Sequence, residues 1–336
     1  MSAEDNALNA AQRGDAEAFQ RLMAPYLREL RTYCYQMAGS MHDADDLMQE
    51  TLLRAWKGLP RFEQRSSIRT WLYKVASNVC IDALEKRERR VLPMDLGDAA
   101  GLNDPIGPPR MDVNWLEPCP AEFYSSEAKS PGAVYERRQS VALAFLLAIQ
   151  HLPAKQRAAL MLHDVLGFQA AECGDLLDLS TPAVNSALQR ARGTLSARPE
   201  ELRPLPPTSE ESALLEQYVR AWESADVDAL VALLRKDATL EMPPLPQWLQ
   251  GAESIGSSIG GMLFAAAAPG DFRLLPVEAN GRPAFAAYQI DRSSGMMVAM
   301  GLHVLRFGNG RIASITAFLN PALLRAFGLP EMMSAE

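Results

Sequence analysis

Cysteine and histidine are scarce in this 336-residue sequence, with four of each, and both are scattered along the chain. No CxxC spacing occurs, so we expect neither a structural zinc site nor a disulfide framework, and no other metal or cofactor. Long apolar runs are also missing, and none approaches the ~20 residues that a membrane span needs. The first ten residues lack the basic start and apolar core of a signal peptide. We therefore expect a cytoplasmic protein without membrane contact.

The net charge of −8 argues against a protein that coats DNA indiscriminately, but the charges are segregated along the sequence. Between Arg54 and Arg90 there are ten Lys and Arg residues against four Asp and Glu residues. Just upstream, His42–Glu50 carries four acidic residues and no Lys or Arg. An acidic segment followed by a basic one predicts two different partners on neighbouring helices. A solvated surface of mixed charge is the alternative.

Hydrophobic periodicity divides the chain into three folded domains and a proline-rich linker. Apolar residues recur at three- and four-residue spacing up to Arg90 and again from Ala133 to Ala197, which predicts two all-α domains. After a second proline-rich break, two helical stretches precede alternating stretches typical of strands, with a hairpin turn at Asn309-Gly310. The predicted boundaries are 1–92 for the first helical domain, 93–135 for the linker, 136–200 for the second helical domain and 208–330 for an α+β domain.

Residues 167–195 are the most informative stretch, because they predict a helix-turn-helix. A break at Asp178–Ser180 separates two helices, and the second begins with Thr181 as N-cap and Pro182 at the first helical position. The residues that helical spacing turns inward are Val184, Leu188 and Ala191. The residues left on the outward face are Thr181, Asn185, Ser186, Gln189, Arg190 and Arg192. Such a face suits the DNA major groove, whereas an ordinary αα-hairpin is the alternative.

Three segments carry a family resemblance: DADDLMQETLLRAWKGLPRF, SSIRTWLYKVASNVCIDALEKRERR and LPAKQRAALMLHDVLGFQAAECGDLLDLSTPAVNSALQRARGTL. They resemble regions 2 and 4 of the sigma-70 family, in the right order, over roughly residues 10–92 and 136–198. The lack of a region-3 domain between them is similar to the extracytoplasmic-function (ECF) sigma factors. The resemblance implies a non-enzymatic subunit that binds core RNA polymerase, recognises the −35 and −10 promoter elements, melts DNA and initiates transcription. We call residues 1–92 the region-2 part and residues 136–200 the region-4 part.

An acidic face on one predicted helix of the region-2 part is the candidate polymerase contact. Asp43, Asp46 and Glu50 are spaced i, i+3 and i+7, which places them on one side of the helix. In the family this helix contacts the β′ clamp helices of RNA polymerase, and Asp45, Asp46 and Glu50 match that motif. The resemblance also implies that the region-4 part contacts the β flap. A solvated face with an internal Glu50–Arg54 pair is the alternative.

The basic segment that follows is the candidate contact for the −10 element. The cations available for salt-dependent phosphate contacts are Arg65, Arg69, Lys74, Arg87, Arg89 and Arg90. Strand opening needs a pocket for an unstacked base, with an aromatic wall and an amide. Trp71 and Asn78 are seven residues apart and share a helix face, although a buried core position is the alternative for Trp71. The resemblance implies that Phe62, Ser67 and Asn78 line this pocket.

The outward face of the second helix of the helix-turn-helix is the candidate contact for the −35 element. Arg190 and Arg192 suit guanine edges or phosphates, and Asn185 and Gln189 suit adenine. The sequence departs from common family usage at Asn185 and Ala187, where basic residues are frequent. The resemblance therefore does not predict which DNA sequence is bound.

Residues 208–330 resemble a SnoaL-like domain of the nuclear-transport-factor-two-like superfamily, a cone of curved sheet wrapped by helices. The likeness rests on YVRAWESADVDALVALLRKDATLEMPP near the start and GRIASITAFLNPALLRAFGLP near the end. Together with a linker motif resembling WLEPCP, such a domain occurs in a subset of ECF sigma factors. There it regulates the sigma factor in cis, and the resemblance implies the same role here.

A small-molecule enzyme or ligand sensor tethered to DNA or polymerase is the alternative function. The residues available to line a cavity of the SnoaL-like domain are Trp222, Trp248, Tyr288 and His303. Asp237 and Asp291 are candidate acids or bases, but no paired carboxylates or Asp–His dyad occur at a telling spacing. Packing in the core is the alternative for His303. We therefore predict no catalytic residue and leave open an unknown ligand of this domain.

Overall fold

A computed structural model describes residues 3–101, 104–124, 140–195 and 209–335. Its internal contacts divide the chain into two compact units. Unit 1 comprises Met1–Arg90 and Glu122–Arg203, and unit 2 comprises Val91–Ala121 and Pro204–Glu336. The predicted end of the linker at 135 and the second proline-rich break lie outside the described residues. None of the helices described is long and apolar enough to cross a membrane.

The region-2 part is built from helices, as its periodicity predicts. They are α1 (Ala3–Gln12), α2 (Ala16–Met23), α3 (Leu27–Ala38), α4 (Met41–Gly58) and α5 (Ile68–Leu84). Asp15, Ser40 and Ser67 cap α2, α4 and α5, because their side chains accept hydrogen bonds from backbone N–H groups of the first turn. Gly39 ends α3 with a left-handed conformation that glycine adopts without strain. Local signals thus fix α4 and α5, the helices that carry the predicted contacts.

Aromatic side chains fill the core between α3 and α5. Tyr33 and Tyr73 are buried and meet edge to face, with ring centroids 5.4 Å apart. The Tyr33 hydroxyl lies 2.8 Å from the Ser77 hydroxyl, which satisfies its polar end. Leu47 on α4 is buried as predicted, so the opposite side of α4 faces solvent.

The region-4 part contains α6 (Leu143–Gln150), α7 (Ala154–Leu160), α8 (Ala170–Leu177) and α9 (Thr181–Leu195). Helices α8 and α9 form the predicted helix-turn-helix. After α8 the chain reverses at Asp178, whose φ is 52°. A Cβ on Gly174 would lie 2.7 Å from the Leu179 carbonyl oxygen, so the turn packs this closely only against glycine. The cap of α9 lies one residue earlier than predicted: the Ser180 hydroxyl accepts a first-turn N–H at 3.4 Å, and Thr181 is already helical.

In the described residues of unit 2, three α-helices accompany a seven-stranded sheet. The helices are α10 (Ser209–Glu223), α11 (Val227–Leu233) and α12 (Ala252–Ile259), and the strands are β1 (Leu234–Glu241), β2 (Trp248–Gln250), β3 (Phe272–Ala279), β4 (Arg282–Asp291), β5 (Met296–Gly308), β6 (Arg311–Phe318) and β7 (Met332–Ser334). The strand order is β2-β1-β6-β5-β4-β3, with β7 paired to β5. Strands β1 and β6 run parallel, whereas the other described pairs are antiparallel. The predicted Asn309-Gly310 turn joins β5 to β6.

The segment 91–121, here called the docked segment, folds onto this sheet rather than forming a free linker. The Trp248 ring nitrogen donates to the Gly97 carbonyl at 2.9 Å, and the Trp248 carbonyl accepts a backbone N–H of the segment at 2.8 Å. Further along, the Asn280 side-chain oxygen accepts the Cys119 N–H at 2.9 Å, and the Asn280 N–H donates to the Cys119 carbonyl at 3.0 Å. This irregular segment is held by hydrogen bonds between residues that are far apart in the sequence. Hydrophobic periodicity cannot predict such hydrogen bonds.

Candidate polymerase and promoter interfaces

The solvent face of α4 carries two carboxylates. Asp46 and Glu50 are exposed and lie one helical turn apart. Each has a basic side chain one turn away: His42 Nε2 lies 3.8 Å from the Asp46 carboxylate, and Arg54 Nε donates to Glu50 at 2.7 Å. Leu53 lies on the same side of the helix and is 54% exposed. This face combines negative charge with exposed apolar surface, a combination suited to a basic protein partner.

Asp43 does not join this face, although its spacing predicts that it does. Its side chain is buried and forms ion pairs with Arg87, at 2.7 Å, and with Arg90. Burial by itself would raise the pKa of the Asp43 carboxyl, but hydrogen bonds from Arg90 and Arg87 outweigh it, so the pKa is lowered. Asp43 thus fastens the end of the basic segment to α4. It also occupies two of the cations predicted to contact DNA.

Asp45 is half-buried and engaged within unit 1. Arg31 donates to its carboxylate twice, from Nε at 2.6 Å and from Nη2 at 2.9 Å. The Arg31 guanidinium also lies 4.0 Å from the centroid of the Phe123 ring. A bidentate pair stacked on an aromatic ring is fixed in orientation. Asp45 therefore presents less free charge to a partner than Asp46 or Glu50.

Phe62, Trp71 and Asn78 lie along one side of the entry to α5 and of α5 itself. The rings of Phe62 and Trp71 have centroids 5.1 Å apart and are tilted by 38°. Trp71 is half-buried rather than a core residue, and a Cβ on Gly58 would lie 3.2 Å from its ring. Asn78 is also half-buried, and its amide has no hydrogen-bond partner among the described residues. Phe62 is buried, so this side of α5 offers the half-buried Trp71 ring together with an unpaired amide.

The remaining pocket candidates lie in the exposed loop before α5. The Ser67 hydroxyl caps the helix and accepts the Thr70 N–H at 3.0 Å. Arg65 is 85% exposed and pairs with Glu63 at 2.5 Å. Gln64 between them has a φ of 56°, which turns the loop sharply. The loop thus presents polar side chains to solvent close to Phe62 in the sequence.

Arg69 and Lys74 contact the region-4 part, although their side chains remain 36% and 42% exposed. The Arg69 guanidinium lies between two aromatic rings, 5.1 and 5.0 Å from their centroids, and one of these rings is Phe168 of the region-4 part. A hydrogen bond to Glu29 raises the pKa of Arg69 above its ordinary value. Lys74 Nζ donates to the Asp178 carboxylate at 2.9 Å. In this arrangement both cations are already occupied.

Helix α9 holds its predicted face out to solvent. The inward residues Val184, Leu188 and Ala191 are buried, and the exposed residues include Thr181, Asn185, Ser186, Gln189, Arg190 and Arg192. Arg192 donates to the Asp164 carboxylate at 2.9 and 2.6 Å. Burial would raise the pKa of Asp164, but the hydrogen bonds from Arg192 and His163 lower it overall. Arg190 has no side-chain partner in the part of the chain that the structure describes.

The predicted cavity residues of unit 2 do not share one site. Trp222 and His303 are buried side by side, with ring centroids 4.8 Å apart. Trp248 instead binds the docked segment through its ring nitrogen. The Tyr288 hydroxyl donates to a backbone carbonyl near the end of the chain at 2.8 Å. The prediction placed all four around a cavity because sequence does not specify to which side of a bulged sheet each ring points.

His303 is a packed residue of the core of unit 2. Its Nδ1 lies 3.0 Å from the Tyr218 hydroxyl, and burial lowers its pKa to about 4, so the ring is neutral at pH 7. Asp237 pairs with Arg235 at 2.6 Å, and Asp291 accepts serine hydroxyls of its own turn, so neither carboxylate hydrogen-bonds to His303. Within the described ranges no group of three or more His, Cys, Asp and Glu residues is placed to hold a metal ion.

Three residues of the region-4 part that touch the region-2 part were not indicated by the sequence. Asp178 binds Lys74, Phe168 stacks on Arg69, and the buried Arg157 donates to the Met37 carbonyl. Lys74 and Asp178 are 104 residues apart, and Met37 and Arg157 are 120 apart. No local pattern signals contacts at such separations.

Comparison with protein families identifies three parts of the chain. The family model for Sigma-70 region 2 matches residues 22–90, that for Sigma-70 region 4 matches residues 142–195, and that for the SnoaL-like domain matches residues 215–315. The matches occur in the predicted order, and they confirm the predicted fold class of two all-α domains followed by an α+β domain.

Individual relatives agree with these matches. The chain is 44% identical over 327 residues to the ECF RNA polymerase sigma factor SigG of Mycobacterium tuberculosis, covering 96% of this chain and 86% of that protein. It is 24% identical over 200 residues to SigW of Bacillus subtilis, covering 58% of this chain and 96% of that protein. The solved structure of the extracytoplasmic function sigma factor SigJ of Mycobacterium tuberculosis has the same fold, with a TM-score of 0.56 at 20% identity over 89% of this chain and 95% of that one. The chain therefore belongs to the extracytoplasmic-function sigma factors of RNA polymerase, with sigma-70 regions 2 and 4 followed by a SnoaL-like domain.

Proposed function

We propose that this chain binds core RNA polymerase in the cytoplasm, recognises the −35 and −10 elements of a promoter, melts the DNA and so initiates transcription. The observation that carries the proposal is the outward presentation of two helices. Helix α4 presents acidic and apolar side chains, and α9 presents amides and an arginine on a helix-turn-helix. These are the residue types that a basic protein partner and a major groove need, respectively. The role requires no catalytic residue.

The polymerase contact is assigned to the exposed face of α4. Asp46 and Glu50 supply negative charge, and Leu53 supplies apolar surface between charged neighbours. A basic coiled coil such as the β′ clamp helices is complementary to such a face. Asp45 and Asp43 are held by arginines, so we assign them to the support of α4 rather than to direct contact. The contact with the β flap is assigned to the region-4 part.

The −10 contact is assigned to Phe62, Trp71 and Asn78. A base that leaves the stack needs an aromatic surface to lie on and a donor–acceptor pair for its edge. The half-buried Trp71 ring, supported by the buried Phe62 ring at a centroid distance of 5.1 Å, and the unpaired Asn78 amide supply both. Ser67 and Arg65 in the preceding loop are exposed and suit the adjoining phosphates.

The −35 contact is assigned to the outward face of α9. Asn185 and Gln189 carry amides that form paired hydrogen bonds with adenine, and Arg190 suits guanine or a phosphate. Thr181 and Ser186 add hydroxyl donors for the DNA backbone near the start of the helix.

Transcription with purified components tests the proposed function. Cognate promoters are first found by sequencing transcript starts after overexpression of the chain. The pure chain is then added to core polymerase and one such promoter, and we expect a transcript from the mapped start without any added small molecule. This outcome also separates a sigma factor from a tethered enzyme, which would need its substrate. No transcript, together with no co-purification with core polymerase, would overturn the proposal.

We further propose that the SnoaL-like domain regulates transcription in cis through the docked segment. The chain leaves unit 1 after Arg90 and returns at Glu122, and unit 2 holds the residues between. While the segment is docked, it cannot lengthen the connection between the region-2 and region-4 parts. Undocking adds it to that connection, which changes how readily both parts engage their promoter elements. This regulation requires no small-molecule ligand.

A matched pair of turn variants tests this regulation. Asn280→Gly keeps the turn, whose φ is 54°, but removes the acceptor of the buried Cys119 N–H. Asn309→Gly makes the same replacement at a φ of 54° in the β5–β6 hairpin. We expect a several-fold change in promoter-specific transcription for the first variant and none for the second. Equal output from both variants and the parent, with unit 2 folded, would contradict control through the docked segment.

A further inference from the structure

The last residue of α1, Gln12, is hydrogen-bonded to the turn that follows α4. Its side-chain amide donates to the Leu59 carbonyl at 3.2 Å and to the Phe62 carbonyl at 2.9 Å. A side-chain amide carries two N–H donors, so each carbonyl receives one. The 3-10 turn Leu59–Arg61 lies between these carbonyls. One side chain of a distant helix therefore fixes both ends of the turn.

The turn depends on Gln12 because one of the two carbonyls has no other donor. The Leu59 carbonyl also accepts the Phe62 N–H at 3.0 Å, which closes the 3-10 turn. Among the described residues, only Gln12 donates to the Phe62 carbonyl, since the backbone becomes extended at Phe62 and leaves the helical hydrogen-bond pattern. Phe62 is 9% exposed, so water has little access to replace the amide.

The packing of α1 holds Gln12 itself in place. Leu8 and Ala11 on the same helix are buried. Directly after Gln12 the chain turns at Gly14, whose φ of 93° favours glycine, and Asp15 then caps α2. The amide is therefore presented from a short, well-anchored connection between two helices.

The turn that Gln12 fixes supports the Trp71 ring at both of its ends. Just before the turn, Gly58 lies so close to the ring that a Cβ there would be 3.2 Å from it. Just after the turn, the Phe62 ring centroid lies 5.1 Å from that of Trp71. Trp71 is half-buried, and its remaining surface is the aromatic platform assigned above to an unstacked base. The position of Leu59–Arg61 therefore sets the orientation of this platform.

We propose that Gln12 is a positioning residue for promoter melting, because it holds the turn that orients Trp71 for an unstacked base of the −10 element. The proposal rests on the proposed function, since it takes Trp71 and Asn78 as the pocket for that base. A ring oriented in advance loses little conformational freedom when the base stacks on it, which favours the melted state. Intact duplex keeps its bases stacked and gains nothing from the platform. Loss of the amide should therefore slow melting without weakening duplex binding.

Fluorine NMR of the free, full-length chain tests the structural link. Tryptophan is replaced by 5-fluorotryptophan, and the Trp71 signal is identified as the one lost in Trp71→Phe. Gln12→Met keeps a long unbranched side chain but removes the amide, whereas Gln20→Met makes the same change at an exposed position of α2. We expect the Trp71 signal to shift in Gln12→Met and to stay in place in Gln20→Met.

A second tryptophan of the region-2 part serves as an internal control. Trp56 on α4 packs edge to face against Phe19 of α2, with ring centroids 5.0 Å apart. Its signal is identified through Trp56→Phe. General loosening of the region-2 part would move the Trp56 and Trp71 signals together, whereas a change confined to the turn moves Trp71 more.

Promoter opening by the same pair of variants tests the functional link. Open-complex formation by Gln12→Met, measured by permanganate reactivity, should be about three- to tenfold slower than that by Gln20→Met, the range expected when a carbonyl loses its donor. Affinity for the intact duplex should be equal in the two variants, whereas damage to the fold would lower both quantities. Gln12→Lys returns N–H donors of similar reach, so it should open promoters as fast as Gln20→Lys, which carries the same added charge.

The outcomes separate this inference from the proposed function. An unmoved Trp71 signal in Gln12→Met, or equal shifts of Trp71 and Trp56, would overturn the structural link. If Trp71→Ala slowed opening and Gln12→Met did not, the inference alone would fail. If Trp71→Ala and Asn78→Ala both opened promoters like the parent, the proposed pocket would fail and the melting role of Gln12 with it. The NMR result would stand in that case, because it uses neither polymerase nor DNA.

Discussion

Helices α5 and α9 carry similar side chains, yet they differ in what those side chains contact. On α9, Gln189 and Arg190 face solvent. On α5, Lys74 is held by the Asp178 carboxylate of the region-4 part, and Arg69 is held by Glu29 of α3 together with the Phe168 ring. Composition and helical period do not separate the two cases. What packs on each helix therefore decides which charged side chains are available to a partner.

Carboxylates on two successive turns of helix α4 also differ in whether a partner can reach them. Asp43 is buried and bridges two arginines, whereas Asp46 and Glu50 stay exposed. Helical spacing places all three carboxylates on one side of α4. How much of that side is buried depends on which other part of the chain packs against it. Here that part is the end of the basic segment, at Arg87 and Arg90.

The largest effect on binding is expected on the exposed side of α4. Asp46→Arg combined with Glu50→Arg would bring like charges against a basic partner, which costs several kcal/mol. We expect affinity for core polymerase to fall by about 100-fold, measured by titration with labelled core. Undiminished binding by a double variant that circular dichroism shows to be folded would remove this face from the interface.

The buried side of α4 supplies the contrasting variant. Asp43→Asn leaves Arg87 and Arg90 without their anion, so the free energy of unfolding of unit 1 should fall by about 2 kcal/mol, measured by urea titration. Because the pKa of Asp43 is lowered in the folded chain, its contribution is present at pH 7 and is lost as the pH falls through that pKa. Unchanged stability would show that the ion pairs are not essential to the fold.

The buried His303 in unit 2 is expected to make the stability of the folded chain depend on pH. His303 has a pKa of about 4 in the folded chain against about 6.5 when unfolded. Between these values the unfolded chain binds a proton that the folded chain does not, so stability falls as the pH is lowered through this window, by about 3 kcal/mol. His303→Gln should flatten this slope. Equal slopes in the parent and His303→Gln would contradict the assignment.

Local signals explain how much of the molecule the sequence predicts. The helix-turn-helix follows from the turn at Asp178 and the buried spacing of α9, and the β5–β6 hairpin follows from Asn309-Gly310. The outward face of α9 is also predictable, because the helical period identifies the buried face and the outward face lies opposite to it. Contacts at long separation are not: Cys119 lies in the WLEPCP motif and Asn280 precedes a glycine, but neither local signal indicates that the two residues meet across 161 residues. The occupied state of α5 depends on such contacts.

Asn78 and Asn185 carry the same amide at two different stages of promoter engagement. If Asn78 binds an unstacked base, Asn78→Ala loses hydrogen bonds that exist only after melting, worth about 1–2 kcal/mol, or roughly tenfold in open-complex formation. Asn185→Ala should instead weaken binding to the intact duplex. Permanganate reactivity of unpaired thymines measures the first effect, and duplex titration measures the second. Equal opening by Asn78→Ala and the parent would contradict the pocket assignment.

The smallest expected effect is a difference in promoter binding between variants of two arginines of α9, one unpaired and one already paired within the chain. Arg190 has no side-chain partner among the described residues, whereas Arg192 is held by Asp164. Arg190→Ala should weaken promoter binding by about fivefold, as one base or phosphate contact of about 1 kcal/mol predicts. Arg192→Ala should cost less, because DNA must first break the pair with Asp164. Asp164→Asn should release Arg192 and tighten binding.

The salt dependence of these variants identifies what Arg190 contacts. A phosphate contact predicts a uniform loss across promoter sequences and a shallower dependence of affinity on salt in Arg190→Ala. A base contact predicts an unchanged salt slope and relaxed preference at one −35 position. Titrations of single-base promoter variants at two salt concentrations distinguish the two. If Arg190→Ala and Arg192→Ala lost the same affinity for DNA, the ion pair between Arg192 and Asp164 would have no effect on DNA binding. That result would contradict the idea that a cation already paired within the chain contributes less to DNA binding than an unpaired one.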